Sequence, residues 1–119
     1  MTTLAVRSLS KAEDSRDFPH GHIDVVKLGV EFGRATFEPG WRWSQDIGPI
    51  AGTKSCQFHH YGFVQQGRFH IRMDDGTEAD LAAGDMFECD AGHDAWVVGD
   101  ETAIVYDFAG NIGKYAMPK

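Results

Sequence analysis

The chain has 119 residues, of which 42% are hydrophobic and 24% charged, and its formal net charge is -7. This length and composition predict one globular domain and exclude wholesale disorder. The acidic balance argues against nucleic acid or an anionic membrane surface as a partner, and no apolar run reaches the roughly 18–20 residues of a membrane-spanning helix.

The cysteine content and the N-terminal residues indicate the cellular compartment of the protein. Cys56 and Cys89 are the only cysteines, which is too few for a disulfide framework. Residues 1–10 lack the long apolar stretch of a secretory signal. These features favour a cytoplasmic protein with two free thiols.

The first third of the chain predicts little helix. The one candidate is a single turn over residues 10–16, which Ser10 would cap and Phe18-Pro19 would end. Residues 23–28 predict an apolar strand. Residues 33–37 predict a short strand that ends at the turn dipeptide Pro39-Gly40.

The rest of the chain predicts strands separated by turns. Phe69, Ile71 and Met73 alternate with polar residues and predict a half-buried strand, which the hairpin turn 74–76 connects to a return strand at 77–81. Further strands are predicted at 86–89, 95–98 and 102–108. Strand signals spaced by roughly 8–12 residues predict an antiparallel sandwich or barrel.

Three segments carry a resemblance to a known family. They are 39–43 (PGWRW), 56–67 (CQFHHYGFVQQG) and 84–101 (GDMFECDAGHDAWVVGDE). In this order they resemble the cupins, which are small double-stranded β-helix barrels of the jelly-roll type. The resemblance implies an all-β, single-domain jelly roll with a barrel core of about 23–108, an N-terminal arm of 1–22 and a C-terminal tail of 109–119.

The resemblance also implies a metal site with an unusual donor set. Cupins usually surround one divalent metal (Zn, Fe, Mn, Ni or Cu) with two His, one Glu and a last His. By the family's spacing, Lys54, Cys56 and His60 take the first three positions and Ala95 takes the last. The nearest remaining histidine is His93, two residues before Ala95.

The residues themselves permit a metal centre at Cys56, His60 and His93. A regular strand would place Cys56 and His60 on one face, because they are four residues apart. A thiolate, one or two imidazoles and an open position suit Zn²⁺ at ~2.0–2.3 Å, and this donor set also suits Cu or Fe. The alternative is that Cys56 is a buried apolar residue and that His60 bonds a backbone carbonyl.

Large aromatic side chains are candidates for the wall of a ligand pocket. Trp41, Trp43, Phe63 and Trp96 would provide apolar area, and the tryptophans add a polar N–H group. The alternative is that the tryptophans fill a narrow barrel or a dimer interface.

Two functions follow from this site. The first is an enzyme (a metal-dependent lyase, isomerase or oxygenase) that acts on a small organic molecule, with His60 and His93 as catalytic groups or metal ligands. The second is a non-catalytic module that binds or senses a small ligand. We also expect a homodimer, because a small open barrel has exposed edges and the N-terminal segment can donate a strand.

Overall fold

The computed structural model describes residues 3–118. It contains nine strands and two short helices in this part of the chain: β1 (Asp14–Phe18), β2 (Gly21–Leu28), β3 (Val30–Phe37), α1 (Trp43–Asp46), α2 (Gly48–Ala51), β4 (His60–Gln66), β5 (Arg68–Met73), β6 (Glu78–Ala82), β7 (Met86–Cys89), β8 (His93–Val97) and β9 (Ala103–Gly110). Single 3-10 turns cover Leu9–Lys11 and Ile112–Lys114. No helix among residues 3–118 is long and apolar enough to cross a membrane.

The strands form two antiparallel sheets. The larger sheet has the order β1-β2-β3-β9-β4-β7, and the smaller one has the order β6-β5-β8. Apolar residues of both sheets meet in one buried cluster, which also includes residues of the α1–α2 segment and of the C-terminal tail. The expected all-β jelly roll with two sheets is therefore confirmed.

Alternation along two strands places polar groups at one end of this core. The inward-facing residues of β9 are Ala103, Val105 and Asp107, so the series becomes polar near the end of the strand. In β8 the inward series begins with His93, which is also buried. The inner face of the barrel is thus apolar along most of its length and polar where the functional residues meet.

The N-terminal segment differs from its prediction. The helical turn is a 3-10 turn capped by Ser8, and the expected arm forms β1, which pairs with β2 of the same chain. Cross-strand pairing outweighs the weak helical signal here, and the Ser15 hydroxyl donates to Asp24 across the pair at 2.7 Å. The sheet therefore begins at Asp14, well before residue 23, and its last strand extends to Gly110.

Residues of the C-terminal tail are part of the core. Ile112 and Tyr115 are buried. Arg16 on β1 holds this segment by donating to the carbonyl oxygens of Gly113 at 2.9 Å and of Tyr115 at 2.5 Å. The tail therefore closes one end of the barrel.

Gly67, between β4 and β5, lies close to the backbone of Thr102 and Ala103, and a substitution at Gly67 tests this packing. Its φ is +81°, and an added Cβ would lie 2.7 Å from the Thr102 carbonyl oxygen and 2.8 Å from the Ala103 Cα. We expect Gly67→Ala to lower the free energy of unfolding by about 3 kcal/mol, from backbone strain and overpacking together. Urea denaturation measures this loss.

Gly99→Ala is the matched control for Gly67→Ala. Gly99 also has a positive φ of +86°, but no heavy atom lies within 4 Å of the added Cβ. The free energy of unfolding of Gly99→Ala should therefore fall by only about 1 kcal/mol, from backbone strain alone. Equal losses in the two variants would contradict the close packing of the β4–β5 connection against β9.

Candidate metal centre

Cys56 lies in the loop before β4, and backbone hydrogen bonds fix it beside the start of β8. The Cys56 amide donates to the His93 carbonyl at 2.7 Å, and the Gly92 amide donates to the Cys56 carbonyl at 2.7 Å. The side chain of Cys56 is completely buried. This bridge brings Cys56 and His93 together although they are far apart in the chain.

His60 opens β4, and a carboxylate fixes the orientation of its ring. The Nδ1 atom of His60 donates to Oδ2 of Asp107 at 2.5 Å. The Nε2 atom is then left with its lone pair, and it lies 3.5 Å from the Sγ atom of Cys56. A carboxylate behind an imidazole in this way is typical of metal-binding histidines.

His93 is fixed by its own loop. Its Nδ1 atom donates to the Asp90 carbonyl at 2.8 Å and lies 3.0 Å from the Sγ atom of Cys89. Burial lowers the pKa of His93 to about 4, so the ring is neutral at pH 7. With the proton on Nδ1, the Nε2 lone pair of His93 is available to a metal.

The three side chains form a donor set that fits a divalent transition metal. Their ligand atoms all lie within 4.8 Å of one another. Two ligands at ordinary zinc distances in a tetrahedron are about 3.5 Å apart, which is the separation of Cys56 Sγ and His60 Nε2. Burial raises the pKa of Cys56 to about 12, so a metal would displace the thiol proton when it binds.

A small cavity lies between the two sheets, next to His60 and His93. Its volume is about 50 Å³, and apolar side chains of both sheets form most of its wall together with His60 and His93. Small-molecule sites commonly have roughly 300–1,000 Å³. The cavity therefore admits an ion with water or a guest of a few heavy atoms.

Trp43 and Tyr115 lie between this cavity and a neighbouring cleft. Both residues line the cavity, and both also line a cleft of about 240 Å³ between the short helices and the C-terminal segment. A guest that enters from this cleft would have to pass these two rings.

Four aromatic residues were predicted to line the pocket, and the structure divides them into two pairs. Trp41 and Trp43 line the cavity. Phe63 does not, because β4 turns Gly62 and Val64 inward and Phe63 faces an outer groove beside Tyr106.

Trp96 also lies outside the cavity wall. β8 turns His93, Ala95 and Val97 inward, so Trp96 faces outward. There its ring stacks on His70 with a centroid separation of 4.6 Å, and the Arg42 guanidinium lies 4.4 Å from the ring centroid. The placement of Phe63 and Trp96 in the cavity wall was therefore wrong.

Two residues of the site, Asp107 and Tyr115, were not predicted from the sequence. Asp107 had a usable signal, because it follows Ala103 and Val105 in the inward series of the last strand. Tyr115 had no local signal, because long-range packing of the tail places its ring 6.2 Å from the ring of His60. Burial raises the pKa of Tyr115 well above its usual value, so the phenol keeps its proton.

Asp107→Asn tests the support of His60. The amide keeps the shape of the carboxylate but removes its charge, so we expect a 10–100-fold loss of zinc affinity. Competition with a chromophoric chelator measures this. Asp80→Asn is the matched control, because Asp80 accepts from Nδ1 of His70 at 2.6 Å on the outer face. Equal affinities in the two variants would contradict the role of Asp107.

Comparison with solved structures identifies the fold. Ectoine synthase from P. lautus is 13% identical to this chain and has a TM-score of 0.66, with coverage of 91% of this chain and 79% of the other. The cupin domain of Drosophila melanogaster CENP-C is 17% identical with a TM-score of 0.59, covering 87% and 83%. A Rhizobium leguminosarum bv. viciae protein of unknown function is 17% identical with a TM-score of 0.63, covering 89% and 95%.

These similarities establish a cupin fold, in agreement with the resemblance of the sequence motifs. No family model matches the chain, and no curated protein matches it either. At such low identities the neighbours define the architecture and not the activity.

Proposed function

We propose that this chain is a metal-dependent enzyme that acts on a small organic molecule inside the barrel. The metal ligands are Cys56 Sγ, His60 Nε2 and His93 Nε2. The observation that carries the proposal is that one ligand atom from each of these three side chains lies within 4.8 Å of the other two, beside a cavity. Three protein ligands with one open position are typical of catalytic zinc sites, whereas structural zinc sites are closed by four.

The donor set favours particular metals. One thiolate with two imidazoles suits Zn²⁺ first, and it also suits copper or iron. A bound ion of this kind supplies a Lewis acid that polarises a carbonyl group or lowers the pKa of a bound water. Zinc fits lyase or isomerase chemistry, and a redox metal fits an oxygenase.

The chain's own groups then have defined roles. Asp107 and the Asp90 carbonyl hold the protons of His60 and His93 on Nδ1, so both Nε2 atoms are directed to the metal. Within this proposal the two histidines act as ligands, and neither is a free acid–base group. Tyr115 is the protonated group beside them, and the apolar wall excludes bulk water.

A second candidate is a non-catalytic binding module for the same kind of molecule. One observation favours it: with both histidines engaged, the cavity wall of residues 3–118 leaves no carboxylate or imidazole free to take a proton. We also propose a cytoplasmic location, since the two buried cysteines are unpaired.

Titration of metal-free protein with Zn²⁺ and Co²⁺ tests the proposal. We expect one metal ion per chain, and a visible Co²⁺ spectrum that changes when azide occupies the open position. Absence of stoichiometric metal would overturn the proposal. A Co²⁺ spectrum that does not change when azide is added would show a closed, structural site instead.

Turnover separates the two candidates. Zinc-loaded protein is incubated with small hydroxy, keto and amino acids, and proton NMR follows the signals of each acid. New product signals that depend on zinc and disappear in the His60→Ala variant support the enzyme. Acids that bind and remain unchanged support the binding module.

A further inference from the structure

Two residues that line the cavity carry buried hydrogen-bond donors with no partner within residues 3–118. The indole Nε1–H groups of Trp41 and Trp43 are buried and donate to no acceptor within residues 3–118. The two side chains are only 1% and 3% exposed, and both line the cavity beside the metal ligands. Because nearly all buried donors in native proteins are paired, these two N–H groups indicate a missing acceptor.

The rings are not free to seek an acceptor elsewhere. The ring of Trp41 stacks on Phe37 with a centroid separation of 3.8 Å, and its backbone carbonyl accepts from the Val97 amide at 3.1 Å. Trp43 begins α1, and its backbone carbonyl accepts from the Ile47 amide at 2.9 Å. Packing fixes both rings against the cavity.

The other polar groups of the cavity wall also favour a ligand that accepts hydrogen bonds over one that donates them. Tyr115 also lines the cavity. The acceptor oxygens of Asp107 are both taken, by His60 Nδ1 at 2.5 Å and by the Ala109 amide at 2.8 Å. The described part of the wall therefore has unpartnered donors, but no carboxylate oxygen that is free of a hydrogen bond. A metal at the site would be a further electron-pair acceptor.

We propose that the cavity binds a small aliphatic carboxylate, whose oxygens accept hydrogen bonds from the indole N–H groups of Trp41 and Trp43. This inference rests on the proposed function and names the substrate class of the same site. A carboxylate provides several acceptor positions and no donor, which matches the wall. The volume of about 50 Å³ limits the molecule to the size of acetate or glycolate.

Indole proton–nitrogen NMR of the zinc-loaded protein tests this directly. The chain has three tryptophans, and Trp96 is an internal control because it lies on the outer face. Adding acetate or glycolate should shift the indole N–H signals of Trp41 and Trp43 and leave that of Trp96 in place. Acetamide has a similar size but no charge, and we expect it to bind at least roughly tenfold more weakly.

Variants give a second readout. Trp43→Phe removes one donor and keeps an aromatic ring, so acetate affinity should fall by about tenfold. Trp96→Phe should leave acetate affinity unchanged. Acetate that shifts no indole signal, acetamide that binds equally well, or a Trp96 signal that shifts as much as the others would each overturn the inference.

The two proposals fail in different ways. If zinc binds stoichiometrically but acetate and glycolate leave the indoles unchanged, an ordered water is the missing partner and only the carboxylate inference fails. If zinc does not bind, the proposed function fails. In that case, indole NMR of metal-free protein with added acetate or glycolate decides whether the indoles bind a carboxylate without a metal.

Discussion

His60→Ala is expected to abolish stoichiometric zinc binding while the fold is retained. The substitution removes one of three ligands, and the loss of affinity should exceed roughly 100-fold, since removing only a supporting residue behind a ligand costs 10–100-fold. Equilibrium dialysis with metal analysis measures the stoichiometry. Circular dichroism checks that the sheets remain.

His59→Ala is the matched control for His60→Ala. His59 is the preceding residue, and its ring bonds the exposed carboxylates of Glu88 at 2.9 Å and Asp90 at 3.1 Å outside the barrel. His59, Glu88 and Asp90 form a separate, more exposed group of possible ligands, so removing His59 should leave the zinc ion at Cys56, His60 and His93 in place. Zinc retained by His60→Ala, or lost equally in both variants, would contradict the assignment of His60 as a ligand.

Cys56→Ser is expected to lower metal affinity on the order of 100-fold and to change the Co²⁺ spectrum. Serine keeps the size of the side chain but replaces the soft thiolate ligand with a hydroxyl group. The thiolate-to-cobalt charge-transfer absorption should therefore disappear. Optical titration with Co²⁺ measures affinity and ligand type in one experiment.

Cys89→Ser provides the comparison, because Cys89 is also buried and unpaired. Its Sγ atom contacts Nδ1 of His93, on the side of the ring that bonds the Asp90 carbonyl. Cys89→Ser should therefore keep the charge-transfer absorption. The reverse pattern, with absorption lost only in Cys89→Ser, would show that the metal lies on the other side of His93.

Local sequence patterns were sufficient for most of the fold. Alternation at Phe69, Ile71 and Met73 and the turn at 74–76 predicted the β5–β6 hairpin, and the strand at 86–89 has the predicted bounds. These features depend on side-chain period and turn chemistry, which neighbouring residues determine. The segment 43–51 was harder to predict, because its two short helices are held by packing and by hydrogen bonds that the Ser44 amide and hydroxyl donate to Asp94.

The site was predictable only in part, because long-range contacts assemble it. Cys56 and His60 do lie together, but Cys56 precedes β4 and a bridge to His93 places it, so a regular strand is not the cause. The outward position of Trp96 follows from alternation with His93 once the bounds of β8 are known. Tyr115 reaches the site through the fold of the tail, which no spacing in the sequence indicates.

The predicted partners stay predictions. A small organic molecule is the occupant proposed above. The homodimer is not tested by a single chain, although β7 leaves an edge of the larger sheet open, with Met86 largely exposed. β1 pairs with β2 of the same chain and forms the opposite edge of the larger sheet.

X-ray absorption at the zinc edge of the loaded protein tests the central claim most directly. The account predicts one sulfur at ~2.3 Å, two imidazole nitrogens at ~2.0–2.1 Å and one light atom from water or a bound acid. A shell of oxygen and nitrogen without sulfur, or a shell with two sulfurs, would contradict a centre formed by Cys56, His60 and His93.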